Sequence, residues 1–314
     1  MQQKTLQEPC VLRGVGVHSG QSSILTIEPA AIDAGIRWVH ERTGETFVMG
    51  QTVPMPAPHA TVLATEIARI STIEHVMAAL WQQGITNAIC RLDGDEVPIL
   101  DGSSIAIIWA LQDAGVIEQE APAQMITPRE ALTFTDEQRG GQIVIHPADE
   151  GQKDLVLEYG DMSSRARSGI HDGEMDSRFR ENDKIGDSPE AFLTDYAPAR
   201  TCGDVEQLDA LRAHGLARGS TLGNTIARWQ GQYLNTPRFD DEPQRHKVLD
   251  LIGDLYLLGA PLIGRIQASN TGHSFDRQVV EHFVHNPEMW QLVAKNSHDI
   301  TIREYQDQGK EEQP

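Results

Sequence analysis

Two stretches of the chain repeat the same order of elements, and this repetition limits the folds that the chain can adopt. Residues 23–30 and 142–148 each read as a strand that ends in a Pro-Ala turn. Each is followed by a second short apolar strand, at 35–39 and at 155–159. Further downstream, the spacing of apolar residues predicts a helix that carries a histidine in each half. This order predicts an α+β protein with an internal duplication, and the alternative is a chance resemblance between short strands.

The two predicted helices place one histidine-bearing element in each half of the chain. They cover residues 71–83 and 244–258. The Ala-Pro-Ala-Gln sequence near residue 122 is typical of a boundary between domains. We therefore expect a first domain at 1–122 and a second domain at 123–285. Residues 286–314 form a C-terminal extension with a polar tail.

One internal segment differs in composition from the rest of the second half. Residues 163–189 are rich in Arg, Asp, Glu, Gly and Ser and contain few apolar side chains. Such a segment cannot bury a core, and we expect a disordered or loosely attached insertion. A lid over the substrate is the alternative. The polar residues 304–314 are expected to fray.

Charge and cysteine content exclude several classes of protein. The 314 residues carry a formal net charge of −20, which disfavours binding to nucleic acids or to anionic membranes. Three scattered cysteines do not form a disulfide framework or a cysteine-rich zinc site. No apolar run reaches the roughly 20 residues of a membrane span, and the N-terminus does not resemble a signal peptide. We expect a cytoplasmic protein without stable membrane insertion.

The second predicted helix carries a pair of candidate metal ligands. His246 and Asp250 are four residues apart, so a helix places them on one face, about one turn apart. An imidazole nitrogen and a carboxylate oxygen both suit zinc. Asp254 continues the polar line by another turn. The alternative is a solvated helix face, on which such a pair adds only a few tenths of a kcal/mol.

The first predicted helix opens with Glu74 and His75. Ser71 and Glu74 have the spacing of a capping box, which would assign the Glu74 side chain to the backbone of its own first turn. Taken alone, the pair therefore favours a structural role. Beside His246 and Asp250 the interpretation changes, because a hydrolytic zinc site needs a third ligand and an adjacent carboxylate.

Two glycine-containing loops complete the set of motifs. His273 follows Gly272 and is either a polar loop residue or the acid that protonates a leaving amide nitrogen. Residues 14–20 (GVGVHSG) resemble a dinucleotide-binding loop, but Ser19 stands where the third glycine belongs. This loop is better interpreted as a turn between strands.

Six motifs follow one another along the chain, at 14–20, 71–80 (STIEHVMAAL), 96–103 (EVPILDGS), 199–201 (ART), 245–254 (RHKVLDLIGD) and 272–273. Taken together and in this order, they resemble a known family, the UDP-3-O-acyl-N-acetylglucosamine deacetylases, which are zinc amidases of the lipid A pathway. The resemblance runs from about Leu6 to about Phe283 without the polar insertion. It implies two similar α+β domains, each a sheet layer with helices, whose helix layers pack together around the active site.

The resemblance also assigns a role to individual residues. It implies that zinc is held by three ligands, namely His75, His246 and Asp250. It implies that Glu74 is the general base, that His273 is a cationic general acid, and that Asp254 holds His273. Thr201 and Lys247 match groups that stabilise the oxyanion. Two histidines and one carboxylate also suit Fe²⁺, so iron is a possible substitute for Zn²⁺.

The chain departs from the family pattern at two places. After Arg200-Thr201 the family has Phe-Gly-Phe, whereas this chain has Cys202, Gly203 and Asp204. The first of those aromatic residues is expected to line the passage for the sugar and acyl chain. After His273 the family's Ala-Leu-Asn is Ser-Phe-Asp here, at 274–276. Residues 204–234 still match the acyl-binding insert in outline.

The expected activity is hydrolysis of the N-acetyl group of UDP-3-O-(3-hydroxyacyl)-N-acetylglucosamine. This reaction releases acetate at an early committed step of lipid A biosynthesis. The expected partner is this small molecule, and the expected state is a monomer. Two alternatives remain: a zinc amidase for another acylated amino-sugar nucleotide, and a non-catalytic paralogue that binds a sugar nucleotide.

Overall fold

The structure is a computed structural model that describes residues 1–149, 152, 155–160, 184–185, 189–295 and 300–303. The predicted insertion at 163–189 lies outside the described residues, apart from the backbone at 184–185 and 189. The predicted frayed tail at 304–314 lies outside them as well. None of the helices in the described part of the chain combines the length and the apolar character that crossing a lipid bilayer requires.

Helices and strands are mixed along the described chain, as predicted for an α+β protein. The helices are α1 (Glu74–Gln83), α2 (Ile105–Asp113), α3 (Pro189–Asp195), α4 (Leu208–Ala213), α5 (Glu242–Leu255) and α6 (His273–His285). The strands of the first half are β1 (Gln2–Leu6), β2 (Cys10–Val15), β3 (Ser22–Pro29), β4 (Ile36–His40), β5 (Thr46–Val48), β6 (Val62–Ala64), β7 (Arg69–Ser71), β8 (Ala88–Asp93) and β9 (Val116–Pro122). Those that follow are β10 (Gln124–Pro128), β11 (Leu132–Asp136), β12 (Gly141–His146), β13 (Leu155–Tyr159), β14 (Lys184–Ile185), β15 (Cys202–Asp204), β16 (Ile226–Trp229), β17 (Gln232–Tyr233), β18 (Gly264–Ser269), β19 (Trp290–Lys295) and β20 (Ile300–Arg303).

Two five-stranded sheets have the same strand order and the same strand directions. The first runs β2-β3-β8-β4-β5 and the second β11-β12-β18-β13-β14. In each, the central strand is antiparallel to one neighbour and parallel to the other. An internal duplication predicts this correspondence. The duplication itself stays a prediction.

The two strands of each predicted pair do not bond to each other. In the first sheet β8 lies between β3 and β4, and in the second β18 lies between β12 and β13. The alternating burial along β3 and β12 shows that one face of each strand enters the core. In each sheet, the Pro-Ala turn therefore begins a connection between two strands that are separated by a third, and the two strands do not form a hairpin.

Near the middle of the chain, two consecutive strands pair with partners from different halves of the chain. β9 ends at Pro122 and pairs with β1, whereas β10 begins at Gln124 and pairs with β19. β19 belongs to the stretch treated as an extension from the sequence, and it forms a three-stranded sheet with β10 and β20. The domain boundary after residue 122 stays a prediction.

Helix α1 begins later than predicted, and the predicted capping box is wrong. Ser71 belongs to β7, and its hydroxyl donates a hydrogen bond of 3.0 Å to the carbonyl oxygen of Asp95. Thr72 has a φ of 61°, which takes the chain out of the strand before the helix starts at Glu74. The Glu74 carboxylate accepts a bond from the backbone of Thr61 instead of capping its own turn.

The other local predictions agree with the structure. Helix α5 covers most of the predicted stretch, and a 3₁₀ turn at Tyr256–Leu258 completes it. Residues 14–20 contain the end of β2 and most of the link to β3 at 16–21, which agrees with the predicted turn between strands. The backbone N–H of Gly16 and the carbonyl of Gln21 close this turn with a bond of 2.9 Å.

Helices α1 and α5 pack against each other in the interior. Nearly all of α1 is buried, including the small side chains of Ala78 and Ala79 that permit close approach. On the opposing helix, a Cβ atom added at Gly253 would overlap the carbonyl oxygen of Glu74. Only glycine therefore allows the two backbones to lie this close. This contact brings the first turn of α1 beside the middle of α5.

Candidate metal centre

Polar side chains from three helices converge where α1, α5 and α6 meet. Two of them open α1, three lie one turn apart along α5, and one begins α6. They form two groups whose ligand atoms lie within 4.8 Å of one another in each group. The first group is His75, His246 and Asp250, and the second is Glu74, Asp254 and His273.

The first group is a set of three candidate metal ligands around one carboxylate oxygen. The Nε2 atoms of His75 and His246 each lie 3.5 Å from Oδ1 of Asp250. The two imidazole rings are perpendicular, with centroids 5.0 Å apart. Oδ1 of Asp250 is buried and makes no hydrogen bond to any described residue. A buried oxygen that faces two imidazole nitrogens without a bonded proton donor fits a divalent cation, which would satisfy all three atoms.

The His246 ring is oriented by the protein backbone. Its Nδ1 lies 3.0 Å from the carbonyl oxygen of Ala199, and because a carbonyl can only accept, Nδ1–H donates. This bond leaves the lone pair of Nε2 facing Asp250. Metal-ligating histidines commonly have such an outer partner, which fixes the tautomer and the ring direction.

In the second group, the imidazole of His273 lies between the carboxylates of Asp254 and Glu74. Nδ1 of His273 donates a bond of 2.8 Å to Oδ2 of Asp254. Its Nε2 lies 3.7 Å from Oε1 of Glu74 and 3.8 Å from Oδ2 of Asp250. The ring therefore has Asp254 on one side, while its other nitrogen faces both the candidate base and the candidate metal ligands.

Thr61, which precedes β6, bonds to both carboxylates of the second group. Its backbone N–H donates to Oε2 of Glu74 at 3.1 Å, and its hydroxyl donates to Oδ1 of Asp254 at 2.5 Å. Sequence reasoning missed this residue. Thr61 lies between strands and outside every motif, so neither periodicity nor spacing indicates that it meets residues nearly 200 positions away.

At Glu74 and His273, burial and the charges of opposite sign nearby shift the pKa in opposite directions. Burial raises the pKa of Glu74 to about 7 against the opposing charges of His273 and His75. Burial lowers the pKa of His273, but the carboxylates of Asp254, Glu74 and Asp250 outweigh it and raise that pKa well above 6.5. The residues of the second group thus favour a cationic imidazole beside a carboxylate whose pKa lies near neutrality.

The pKa values of the three candidate metal ligands are shifted in different directions. Burial raises the pKa of Asp250, but the charges of His246 and His273 outweigh it and hold that pKa well below its usual range. Burial lowers the pKa of His246. At His75 burial acts in the same direction, but the nearby carboxylate of Asp250 outweighs it and raises the pKa. An ionised Asp250 and a neutral His246 are the forms that bind a metal ion.

Thr201 and Lys247, expected to stabilise the oxyanion, lie near the cluster but are less closely tied to it. The backbone N–H of Thr201 donates to the carbonyl of Gly102 at 2.8 Å. Lys247 follows His246 on α5 and has an exposed side chain. The charges of Lys247 and Asp250 both act on the thiol of Cys202, whose pKa is raised mainly by burial. Among the described residues, the side chains of Thr201 and Lys247 make no hydrogen bond to the six clustered residues.

Comparison with known proteins identifies a family that matches most of the chain. The family model described as LpxC, UDP-3-O-acyl N-acetylglycosamine deacetylase, matches residues 3–285. The chain belongs to this family. The match covers the stretch over which the motifs resemble it, and the resemblance predicted from the sequence is confirmed. The family is one of metalloenzymes, and the described residues contain two groups that could hold a metal ion.

Three relatives show how far the family likeness extends. All three are named UDP-3-O-acyl-N-acetylglucosamine deacetylase. The protein of Teredinibacter turnerae is 34% identical over 94% of this chain and 94% of its own length. That of Myxococcus xanthus is 34% identical over 95% and 91%, and that of Syntrophotalea carbinolica is 33% identical over 93% and 90%.

Proposed function

We propose that this chain hydrolyses the N-acetyl amide of UDP-3-O-(3-hydroxyacyl)-N-acetylglucosamine and releases acetate. The observation that carries the proposal is the convergence of two groups of side chains, one suited to a metal ion and one to proton transfer. A binding protein would need the first group only. The names of the relatives support the substrate.

In this proposal His75, His246 and Asp250 hold the metal ion, and zinc is the ion that their chemistry favours. Two imidazoles and one carboxylate are a ligand set that catalytic zinc sites use, and they would leave the ion accessible to substrate or water. Fe²⁺ suits the same ligands. A bound zinc ion supplies Lewis acidity, which polarises an amide carbonyl and makes water more acidic.

Glu74 and His273 carry the protons of the reaction. Glu74 takes a proton from the attacking water through Oε1, because Oε2 is held by the backbone of Thr61. His273 gives a proton from Nε2 to the leaving amine nitrogen, while Asp254 holds Nδ1 and stabilises the cation. The 3.7 Å between Oε1 and Nε2 allows both groups to face one tetrahedral centre.

Thr201 and Lys247 complete the proposed site. The hydroxyl of Thr201 and the ammonium of Lys247 stabilise the oxyanion that forms when water attacks the amide. Their hydrogen-bond donors are not engaged with the clustered residues described above. Cys202 and Asp204 lie next to Thr201, in the wall that contacts the sugar and the acyl chain.

The departures at Cys202 and Asp204 favour one second candidate function, a zinc amidase for a different acylated amino-sugar nucleotide. The thiol of Cys202 offers less apolar surface than an aromatic ring, so the acyl chain gains less on binding. A non-catalytic paralogue is the other candidate. The intact pairing of His273 with Asp254 and Glu74 disfavours it.

An acetate-release assay with metal analysis tests the proposal. Protein stripped by a chelator should release no acetate from the UDP-linked substrate, and one equivalent of zinc should restore the release. A preference for the non-acylated sugar nucleotide would favour the second candidate. If zinc-loaded protein released no acetate from any acylated glucosamine nucleotide, the paralogue that only binds would remain.

The setting of the reaction is part of the same proposal. We place the enzyme in the cytoplasm, as a monomer that takes a small-molecule substrate and inserts into no membrane. The high negative charge of −20 opposes association with anionic surfaces. Light scattering of the purified protein would test the monomer, and fractionation of cells would test the compartment.

A further inference from the structure

A single peptide unit, between Ala199 and Arg200, contacts helix α5 at two points one turn apart. Its carbonyl oxygen accepts the hydrogen bond from Nδ1–H of His246, at 3.0 Å. Its N–H donates to Oε1 of Glu242, at 2.9 Å. Glu242 and His246 are four residues apart in α5 and lie on one face of the helix. Because a peptide unit is planar, the acceptor that fixes the N–H also fixes the direction of the C=O.

The carboxylate of Glu242 is itself buried and bonded to several donors. Its side chain is 0% exposed, and Arg200 binds it through Nε at 2.9 Å and Nη2 at 3.3 Å. The backbone N–H of Arg238 donates to Oε2 at 2.5 Å, the oxygen that Nη2 of Arg200 also binds. Burial raises the pKa of Glu242, but these hydrogen bonds outweigh it and lower that pKa, so the carboxylate is ionised at neutral pH. The ion pair thus has few alternative arrangements.

The same network reaches into the first half of the chain. Arg238 forms an ion pair of 2.9 Å with Asp101, which precedes Gly102. The carbonyl of Gly102 accepts a bond from the backbone N–H of Thr201 at 2.8 Å. The segment that presents Ala199 to the metal centre is therefore tied on one side to α5 and on the other to residues 101–102.

We propose that Glu242 is a positioning residue for the metal centre. It holds the peptide unit between Ala199 and Arg200 so that the Ala199 carbonyl fixes the ring and the tautomer of His246. The proposal rests on the proposed role of His246 as a metal ligand. Loss of an outer partner of this kind typically lowers metal affinity about 10- to 100-fold.

The competing explanation is that Glu242 only neutralises the buried guanidinium of Arg200. Two double variants separate the explanations. Arg200→Met with Glu242→Gln removes both charges and keeps one carbonyl oxygen that can accept the peptide N–H. Arg200→Met with Glu242→Met removes both charges and leaves no acceptor. The two chains differ in this acceptor, and each has a side chain of similar length at position 242.

The measurement is the zinc dissociation constant from competition with a chromophoric chelator, without substrate. We expect the variant with two methionines to bind zinc about 10-fold or more weakly than the variant that keeps the acceptor. Its acetate release at saturating zinc should recover toward that of the matched variant, because excess metal compensates for a misplaced ligand. Equal zinc affinities in two folded variants would overturn the proposal.

A third variant keeps the test decisive if the chain with two methionines does not fold. Glu242→Asp keeps the charge and its pairing with the long side chain of Arg200, but withdraws the carboxylate from the peptide N–H. Zinc affinity should again fall about 10-fold, whereas Glu158→Gln, which breaks the buried carboxylate's ion pair with Arg265 in the second sheet, should leave it unchanged. Unchanged affinity in folded Glu242→Asp would overturn the proposal. If the wild-type chain bound no divalent ion, the proposed metal centre itself would be wrong. That result can be distinguished from a wild-type chain that binds zinc and variants that bind it equally well.

Discussion

The Nδ1–H of His273 donates a 2.8 Å hydrogen bond to Oδ2 of Asp254, a carboxylate that is only 1% exposed. The pairing joins the first residue of α6 to the last turns of α5. It keeps the proton of His273 available on Nε2, which faces Glu74 at 3.7 Å. Burial alone would lower the pKa of this imidazole, so the cation depends on the carboxylates around it.

Replacing Asp254 by Asn should lower the pKa of His273 and reduce turnover. The general acid must be protonated, so activity falls as pH rises through the pKa of His273. With Asp254→Asn this fall should begin at a lower pH, and kcat should drop about 10- to 100-fold near neutrality, within the range of general acid catalysis. Asp95→Asn is the matched control, because Asp95 also pairs with a histidine, His40, but is largely exposed. An unshifted pH profile would contradict the assignment of Asp254.

Thr61→Val should impair catalysis through the hydroxyl that donates to Asp254. The change removes one buried hydrogen bond to a charged group, which is typically worth about 1.5–3 kcal/mol. Turnover should fall about 10-fold or more. Thr61→Ser restores the hydroxyl and should recover most of the activity. If serine gave no more activity than valine, the hydroxyl would have no part in holding Asp254.

Glu74→Ala should bind zinc as wild type does and yet lose at least about 10²-fold in turnover, since a general base contributes on this scale. Metal content and acetate release are measured on the same sample. Near-wild-type activity would remove Glu74 from the mechanism. Loss of zinc together with activity would instead assign Glu74 to the metal ligands.

Asp276→Asn should stabilise the protein. Asp276 is completely buried in α6, and neither carboxylate oxygen makes a well-formed hydrogen bond to a described residue. Burial, with the charge of Asp254 as a further contribution, raises its pKa well above 3.8. The folded state thus retains a proton that the unfolded state has lost, so stability falls as pH rises from the unfolded pKa toward the folded one.

Denaturant unfolding at several pH values measures this effect. At pH 8 the variant should gain about 1–3 kcal/mol of unfolding free energy, because it no longer has to take up a proton on folding and each unit of a raised pKa costs about 1.4 kcal/mol. Near pH 3, where Asp276 is largely protonated in both states, the gain should be smaller. An Asp276→Asn chain with the same pH dependence as wild type would show that this carboxyl finds a partner in solution.

Cys202→Phe should tighten binding of the acylated substrate. An aromatic ring beside Thr201 adds apolar surface along the proposed acyl passage, and about 1 kcal/mol of partial burial corresponds to a roughly fivefold lower KM. Cys202→Ala adds no surface and is the control. In Cys202→Phe, KM for a non-acylated sugar nucleotide should fall less than KM for the acylated substrate, because only the sugar then contacts the ring. A KM for the acylated substrate that is unaffected by Phe would move the acyl passage away from this wall.

Much of the site was accessible from the sequence because its residues lie on regular helices. The four-residue spacing of His246 and Asp250 places both on one face whatever the rest of the fold does. The family motifs then connected them with Glu74, His75 and His273. In the structure these residues form two groups whose ligand atoms lie within 4.8 Å of one another in each group, and their catalytic roles stay predictions.

The parts that the sequence did not predict depend on contacts between distant segments. Thr61 belongs to no local pattern. Glu242 precedes His246 by one helical turn, but this spacing does not indicate its contact with the backbone N–H of Arg200, which tertiary packing brings near. The capping box at Ser71 failed for a related reason. Pairing with residues 95–97 holds Ser71 in a strand, so a favourable local spacing loses to the sheet.

Gly253 carries no charge and no side chain, yet the position tolerates less change than many charged ones. Any larger residue would push α5 away from the carbonyl of Glu74, and the ligands of α5 would move with the helix. A library that varies every position of α5 should therefore retain glycine at 253 as strictly as histidine at 246. A substitution at 253 would displace the candidate ligands of α5, whereas a substitution at 246 would remove one of them.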